Sequence, residues 1–236
     1  MEASILEKRR APNYFKKFRH LVVRNRSINT RNFIDRLAEV YEDRPVFFLD
    51  SELSYSFFSG SEISYRTLSQ FTNRIGNALL RLGVKNGDRV GLATYNRVEL
   101  AFAEFACMKI GAIPVPLNFM LKANEINYQM ENSGAKVLIT DDDVYRNNIK
   151  DTSRVPAIET WIMVTEKEKT EGFYSLKEIL ENVSDNLDPA PLSSQDDVVI
   201  IFYTSGTTGV PRGAMLTDRN MMYTVRRYCL LLGIPP

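Results

Sequence analysis

Val198-Val199-Ile200-Ile201-Phe202 runs directly into Tyr203-Thr204-Ser205-Gly206-Thr207-Thr208-Gly209-Val210-Pro211-Arg212-Gly213, and the junction of these stretches decides how the chain is read. The first is an apolar run with the length of a strand buried on both faces. The second is a loop holding three glycines, four hydroxyls and a guanidinium within eleven residues. Gly206, Gly209 and Gly213 permit positive φ and close approach of the backbone to a ligand. Thr204, Ser205, Thr207 and Thr208, with neighbouring backbone N–H groups, suit phosphate oxygens as a nest. Arg212 adds a permanent cation with a forked donor geometry. Each hydrogen bond to a charged phosphate contributes about 1.5–3 kcal/mol net, so a handful holds a triphosphate. A plain Ser/Thr/Gly turn is the bland alternative, and it seldom combines these groups.

Other loop chemistries fail on spacing. The Walker pattern needs Gly-Lys-Ser/Thr five residues after its first glycine, where this chain has Pro211-Arg212-Gly213 or Ala214-Met215-Leu216. The dinucleotide pattern needs glycines at alternate positions. Ser205 is not in a Gly-x-Ser-x-Gly elbow, and the single histidine, His20, lies far from it.

Upstream, helix and strand alternate back to about residue 33. Phe33, Leu37, Ala38 and Tyr41 make a helical stripe with Thr30 or Asn32 as cap. Residues 46–49 form a short apolar strand, and the Ser- and Tyr-rich residues 51–64 a hairpin or loop. Leu68, Phe71, Ile75, Ala78, Leu79 and Leu82 mark one face of a long helix that Gly83 stops. Asn86-Gly87-Asp88 turns into a strand at 89–93. A helix over 98–110 closes on Gly111 before a strand at 112–115, and a helix over 123–130 leads to a strand at 137–140. Residues 161–164 are another strand, 176–180 a short helix, and the polar stretch 182–197, with Pro189 and Pro191, a linker. The pattern predicts an α/β fold, a mostly parallel sheet flanked by helices.

The 236 residues suffice for one large domain or two small ones, and 44% hydrophobic with 25% charged residues excludes a disordered or fibrous chain. Cys107 and Cys229 are too far apart in sequence for metal or redox spacing, which excludes a disulfide scaffold and suggests a reducing compartment. One histidine excludes a histidine-dependent triad or a His-rich metal site, and no metal site is read. No run of about eighteen apolar residues is present to span a membrane. The net charge of +1 hides an asymmetry: residues 1–34 hold nine Lys or Arg against two acids, leaving 21 bases and 27 acids elsewhere. Tyr14, Phe15, Phe18, Leu21 and Val22 recur at helical spacing beside Lys16, Lys17, Arg19, His20 and Arg24, so residues 1–32 read as a basic amphipathic arm. Three readings of it stand: a docked helix or solvated tail, peripheral membrane contact through residues 8–31, or an organellar presequence, against which Glu2 and Glu7 count. Nucleic acid is not an expected partner, because no basic or aromatic surface continues beyond the arm.

Residues 203–213 resemble the phosphate loop of the adenylate-forming, AMP-binding enzymes: acyl-CoA synthetases, peptide-synthetase adenylation domains and luciferases. Ser64-Tyr65-Arg66-Thr67-Leu68, Ala78-Leu79, Gly83-Val84, Gly87-Asp88-Arg89-Val90, Asn96, Gly111-Ala112, residues 114–118 and Ala135-Lys136-Val137-Leu138 follow in family order, so the resemblance spans residues 33 to 220. Among these enzymes the chain is most similar to acid–CoA ligases of the fatty acyl type. The resemblance implies that residues 33–236 are the incomplete N-terminal part of an AMP-binding domain. It implies two half-reactions: a carboxylic acid, fatty by this likeness, attacks the α-phosphorus of MgATP to give an acyl-adenylate, and CoA thiol then displaces AMP. ATP, Mg²⁺ and coenzyme A are thus the implied cofactors and co-substrates. Thr204, Ser205, Gly206, Thr207, Thr208, Gly209 and Arg212 match the grip on the β- and γ-phosphates. A cytoplasmic location is expected, with membrane association only on the second of the three readings of the arm.

The family's adenine-binding strand, Mg²⁺-holding Thr-Glu motif, ribose-binding Asp and C-terminal lid with its catalytic Lys are expected after Pro236, or on a second polypeptide. No complete catalytic set is therefore expected within these residues. The alternative is a truncated, non-catalytic interaction or regulatory module that retains nucleotide binding. Two residues depart from the family pattern. Arg212 stands where Lys is usual. Leu216-Thr217-Asp218-Arg219-Asn220 stands where Leu-Ser/Thr-His-x-Asn is common, so Asp218 would disfavour a nearby phosphate unless Arg219 pairs with it.

Overall fold

The structure, a computed structural model, describes residues 20–25, 27–49, 58, 60–164, 170–204 and 209–231. Asn32 leads into α1 (Phe33–Tyr41), which buries Ile34 and Leu37. β1 (Pro45–Phe48) and β2 (Glu62–Ser64) pair antiparallel. Ser64 then caps α2 (Tyr65–Arg81) by accepting from the Thr67 amide at 3.1 Å, satisfying one of the free N–H groups of the first turn. β3 (Arg89–Ala93), α3 (Val98–Ile110), β4 (Ile113–Pro116), α4 (Ala123–Ser133) and β5 (Val137–Thr140) follow in alternation. Gly111 ends α3 at φ 79°, a left-handed conformation that glycine adopts without steric cost. Next come α5 (Asp142–Val144), β6 (Thr160–Met163), β7 (Tyr174–Ser175) and α6 (Leu176–Ile179). β8 (Val198–Thr204), β9 (Arg212–Thr217) and α7 (Asp218–Leu231) complete the described chain.

Five strands form one parallel sheet in the order β4-β3-β5-β6-β7. The chain steps one way from β3 to β4, then crosses back over β3 to β5, which is the doubly wound arrangement. Strand alternation sorts the side chains into two cores. Val90, Leu92, Val137, Ile139 and Ile162 face α1, α2, α3 and α6, while Ala93, Leu138, Trp161 and Met163 face α4 and the segment after α5. The expected mostly parallel sheet with helices on both faces is therefore present.

Helix α3 is buried nearly all round, and its two buried charges have partners. Arg97 meets Glu99 at 3.0 Å, and Lys109 Nζ lies 2.6 Å from the Asp35 carboxylate of α1 and also donates to Asn73 of α2. Such pairing is what makes a buried charge tolerable.

Residues 182–197 differ from the expected linker. They form a strap bonded across α2 and α3: Asn73 Nδ2 donates to the Asp185 carbonyl at 2.7 Å and Asn77 Nδ2 to Ser184 at 2.9 Å. The Ala190 amide donates to Lys109 O at 2.8 Å, and Leu187 packs on the core. The side-chain amides of α2 replace the water that a solvated linker would use.

Residues 1–19 of the basic arm lie outside the described residues. From His20 on, the chain packs against the domain. A π-helical turn, His20–Arg24, contacts α7, and Val22 and Ile28 are buried. Arg226 donates to the carbonyls of Val22 and Ile28, both at 3.1 Å. Arg31, which the membrane reading of the arm would leave at the surface, is buried, with Nη1 donating to Pro191 O at 2.6 Å, as the docked reading has it for this part of the arm.

Candidate phosphate-binding site

β8 and β9 pair antiparallel from Val198↔Thr217 to Thr204↔Arg212. The glycine-rich stretch is thus the tip of a hairpin whose base packs against β4 and α3. Ser205, Gly206, Thr207 and Thr208 lie outside the described residues; Thr204, Gly209 and Arg212 lie within them. β9 has no counterpart in the sequence reading, because Arg212-Gly213-Ala214 interrupts any apolar alternation.

Directly opposed residues of an antiparallel pair share a face, and neighbours along a strand alternate. Thr204 and Arg212 therefore stand together on one face at the mouth of the loop. Both are exposed, and Arg212 has no ion pair among the described residues. Gly209 adopts φ 83°, the conformation expected of a loop glycine. Gly213 has a different reason to be glycine. A Cβ there would lie 3.0 Å from Ile201 Cγ2 and 3.3 Å from Tyr203 Cζ, so its hydrogen leaves room for the Tyr203 ring to cross the hairpin.

Tyr203 turns to the other face, toward α4. Its hydroxyl donates to Asn132 Oδ1 at 2.7 Å, with the Gln129 carbonyl 3.2 Å away. Burial pushes the Tyr203 phenol above its usual range, which keeps it protonated and a donor. Tyr128 OH, also on α4, donates to the Pro211 carbonyl at 3.2 Å. Neither Tyr128 nor Asn132 is singled out by sequence reasoning, since no local pattern ties α4 to a loop more than seventy residues later.

At the base of the hairpin the expected interplay of Asp218 and Arg219 is corrected. Asp218 is 3% exposed and accepts from Thr30 N at 2.7 Å and Thr30 Oγ1 at 2.9 Å. Arg219 pairs instead with Asp196 at 2.9 and 3.0 Å, holding that carboxyl below its usual range. Asp218 stands six residues along from Arg212, roughly 20 Å at strand rise. Its carboxylate is buried against Thr30 far from the tip, so it does not oppose an anion there.

Two other places compete as sites. The crevice at the carboxyl ends of β3 and β5, where open α/β sheets commonly hold ligands, is closed by Asp141, which accepts from Tyr95 N at 2.6 Å and Val144 N at 2.7 Å. A cavity of about 340 Å³ beside Asp35, Asn73 and Lys109 is lined by groups that already pair with one another. Among the described residues no three His, Cys, Asp or Glu side chains converge on a point, so no carboxylate set for Mg²⁺ is found in them. No helix of the described residues is long and apolar enough to cross a membrane.

The family described as AMP-binding enzyme matches residues 34–233. A crotonobetaine/carnitine–CoA ligase of Salmonella paratyphi A is 31% identical over 197 residues, 83% of this chain and 37% of that one. An anthranilate CoA ligase solved with anthranoyl-AMP superposes with a TM-score of 0.70 at 27% identity, over 81% of this chain and 35% of that one. A Mycobacterium tuberculosis fatty acyl CoA synthetase superposes with a TM-score of 0.63 at 26% identity, over 80% of this chain and 34% of that one. The chain spans a little over a third of the length of the curated relatives it matches.

Proposed function

Because the chain belongs to the AMP-binding enzyme family, we propose that its β8–β9 tip holds the β- and γ-phosphates of MgATP while a carboxylic acid is activated for transfer to coenzyme A. The observation that carries this reading is the pairing of Thr204 with Arg212 on one exposed face, flanking residues 205–211. Arg212 offers an exposed guanidinium, with no ion pair among the described residues, to phosphate oxygens, and Thr204 a hydroxyl beside it. Ser205, Gly206, Thr207, Thr208 and Gly209 complete the proposed grip.

The residues present fit a triphosphate and do not by themselves fit a metal. Mg²⁺, for which the described residues supply no ligand set, would contribute charge neutralisation to the bound triphosphate. This chain's contribution is to fix the β- and γ-phosphates so that the α-phosphorus is open to in-line attack by the acid. The chain from about residue 33 is, on this reading, the first part of the AMP-binding domain. The adenine, ribose and CoA contacts fall to a length of protein that this chain does not span, in the same polypeptide or a second one. A fatty acid is the substrate class we favour, on the likeness to the fatty acyl CoA synthetase. Val22, Ile28 and Arg31 are buried on the domain, so this reading leaves peripheral membrane contact to the residues of the arm before them.

The test has two arms. Titration of the 236-residue chain with MgATP and with inorganic tripolyphosphate should show binding that Arg212→Ala weakens by about 10- to 100-fold, the loss of one or two charge-assisted hydrogen bonds. Unchanged affinity removes Arg212 from the site. In the whole enzyme, a panel of fatty acids, crotonobetaine and anthranilate assayed for acyl-CoA formation should favour the fatty acids; a preference for either of the others overturns that choice.

A further inference from the structure

The hairpin presents its candidate ligand groups on one face and is held by the other. Tyr128 and Asn132 stand four residues apart on α4, so they project from one side of that helix. Tyr128 OH donates to the carbonyl of Pro211, the residue before β9. Asn132 Oδ1 accepts from Tyr203, the residue before the end of β8. One contact therefore falls on each leg, with Thr204 and the loop between them. Among the described residues, these two tyrosines make the only side-chain hydrogen bonds at this end of the hairpin; the remaining polar contacts lie at its base, around Thr217 and Asp218.

The strand period converts this attachment into orientation. With Tyr203 turned to α4, Thr204 faces away from it, and the register places Arg212 on the same side. A slip of one residue in either leg would exchange the two faces and point the guanidinium at the helix. Gly213 gives the Tyr203 ring room, because a Cβ there would crowd it at 3.3 Å.

We propose that Tyr128 and Asn132 are positioning residues for the nucleotide loop: α4 clamps both legs of the hairpin and so fixes the face on which Thr204 and Arg212 meet a triphosphate. The proposal rests on the reading of this tip as the triphosphate site. Neither residue touches the phosphate; each acts through the backbone of the hairpin.

The 236-residue chain is compared with Tyr128→Phe, Asn132→Ala, Asn132→Asp, Tyr203→Phe and the double variant Tyr203→Phe/Asn132→Ala. Two measurements are made: amide hydrogen exchange without ligand, and titration with inorganic tripolyphosphate. Tyr128→Phe, Asn132→Ala and Tyr203→Phe should each speed exchange at Thr204, Arg212 and Gly213 by about 3- to 10-fold and weaken tripolyphosphate by a similar factor, as loss of one hydrogen bond allows. Exchange in β3 and β5 should not change, which separates positioning from general destabilisation. The double variant should be no worse than Tyr203→Phe alone, because Tyr203→Phe already removes the bond that Asn132→Ala removes. Asn132→Asp keeps an acceptor for the Tyr203 hydroxyl and should restore slow exchange. Unchanged exchange at the tip, an additive double variant, or unchanged tripolyphosphate affinity in a chain that binds it would each overturn the proposal. A wild-type chain that binds no tripolyphosphate overturns the site reading itself, and with it the role in phosphate positioning. Tip exchange then decides only whether α4 clamps the hairpin.

Discussion

Glu104, on α3, has no ion pair or hydrogen bond among the described residues, and burial pushes its carboxyl from 4.5 up to about 7. Desolvation disfavours the charged form, so the folded chain keeps a proton there that the unfolded chain has lost. Between those two values unfolding releases a proton, and stability falls as pH rises, by at most about 1.4 kcal/mol per pH unit. The contribution is fully present below about pH 4.5 and is gone above pH 7. Urea denaturation from pH 5 to 8 should show this decline in the wild type, a flatter profile for Glu104→Gln, and a more stable variant above pH 7. An equally steep profile in Glu104→Gln would assign the decline to another group. The two departures from the family pattern resolve differently at this scale. Arg212 is exposed at the tip with no ion pair among the described residues, whereas Asp218 is buried at the other end of β9 and held by Thr30.

At the scale of elements, α4 links the sheet to the hairpin. Its Met130 lies on Gly91 of β3, where a Cβ would sit 2.5 Å from Met130 Sδ and 2.7 Å from Leu138 Cδ1. Gly91→Ala should lift α4 from the sheet and cost about 1–3 kcal/mol, as overpacking does. It should lower the denaturation midpoint without changing the slope, and a midpoint equal to wild type would show that Met130 can swing aside. Elements of this kind differed in how legible they were. The bounds of α3 follow from its sequence, because an apolar run of helical length ends on a glycine that must be left-handed. β9 and the strap could not be read. Arg212-Gly213-Ala214 resembles the loop that precedes it, and the side-chain amides of Asn73 and Asn77 look like a solvated helix face until the strap's carbonyls are placed beside them. The candidate site divides the same way. Its composition named Thr204, Gly209 and Arg212, but their shared face depends on strand register, and the hold of α4 on the hairpin depends on contacts 71 and 83 residues apart in sequence.

Across the whole molecule, a long-range junction joins Thr30 to Asp218, 188 residues apart, beside Arg31 and the strap. Asp218→Ala leaves the Thr30 amide and hydroxyl buried without an acceptor, which should cost about 1–3 kcal/mol. Trypsin should then cut after Arg31, a buried residue in the wild type, faster than in the parent chain; equal cleavage would show that the Arg226 bonds alone hold the segment. The far side of this end is apolar: Met215, Tyr223 and Tyr228 are each about 60% exposed or more on β9 and α7. The same junction sets a schedule during synthesis. Ribosomes add about 5–20 residues per second, so Thr30 waits roughly 10–40 s for Asp218 to be made. The parallel sheet from β3 to β7 can close in that interval, one βαβ unit at a time. Val22, on the turn that contacts α7, waits for that helix to emerge, which makes it, among the described residues, one of the earliest apolar side chains synthesised and among the last to leave water.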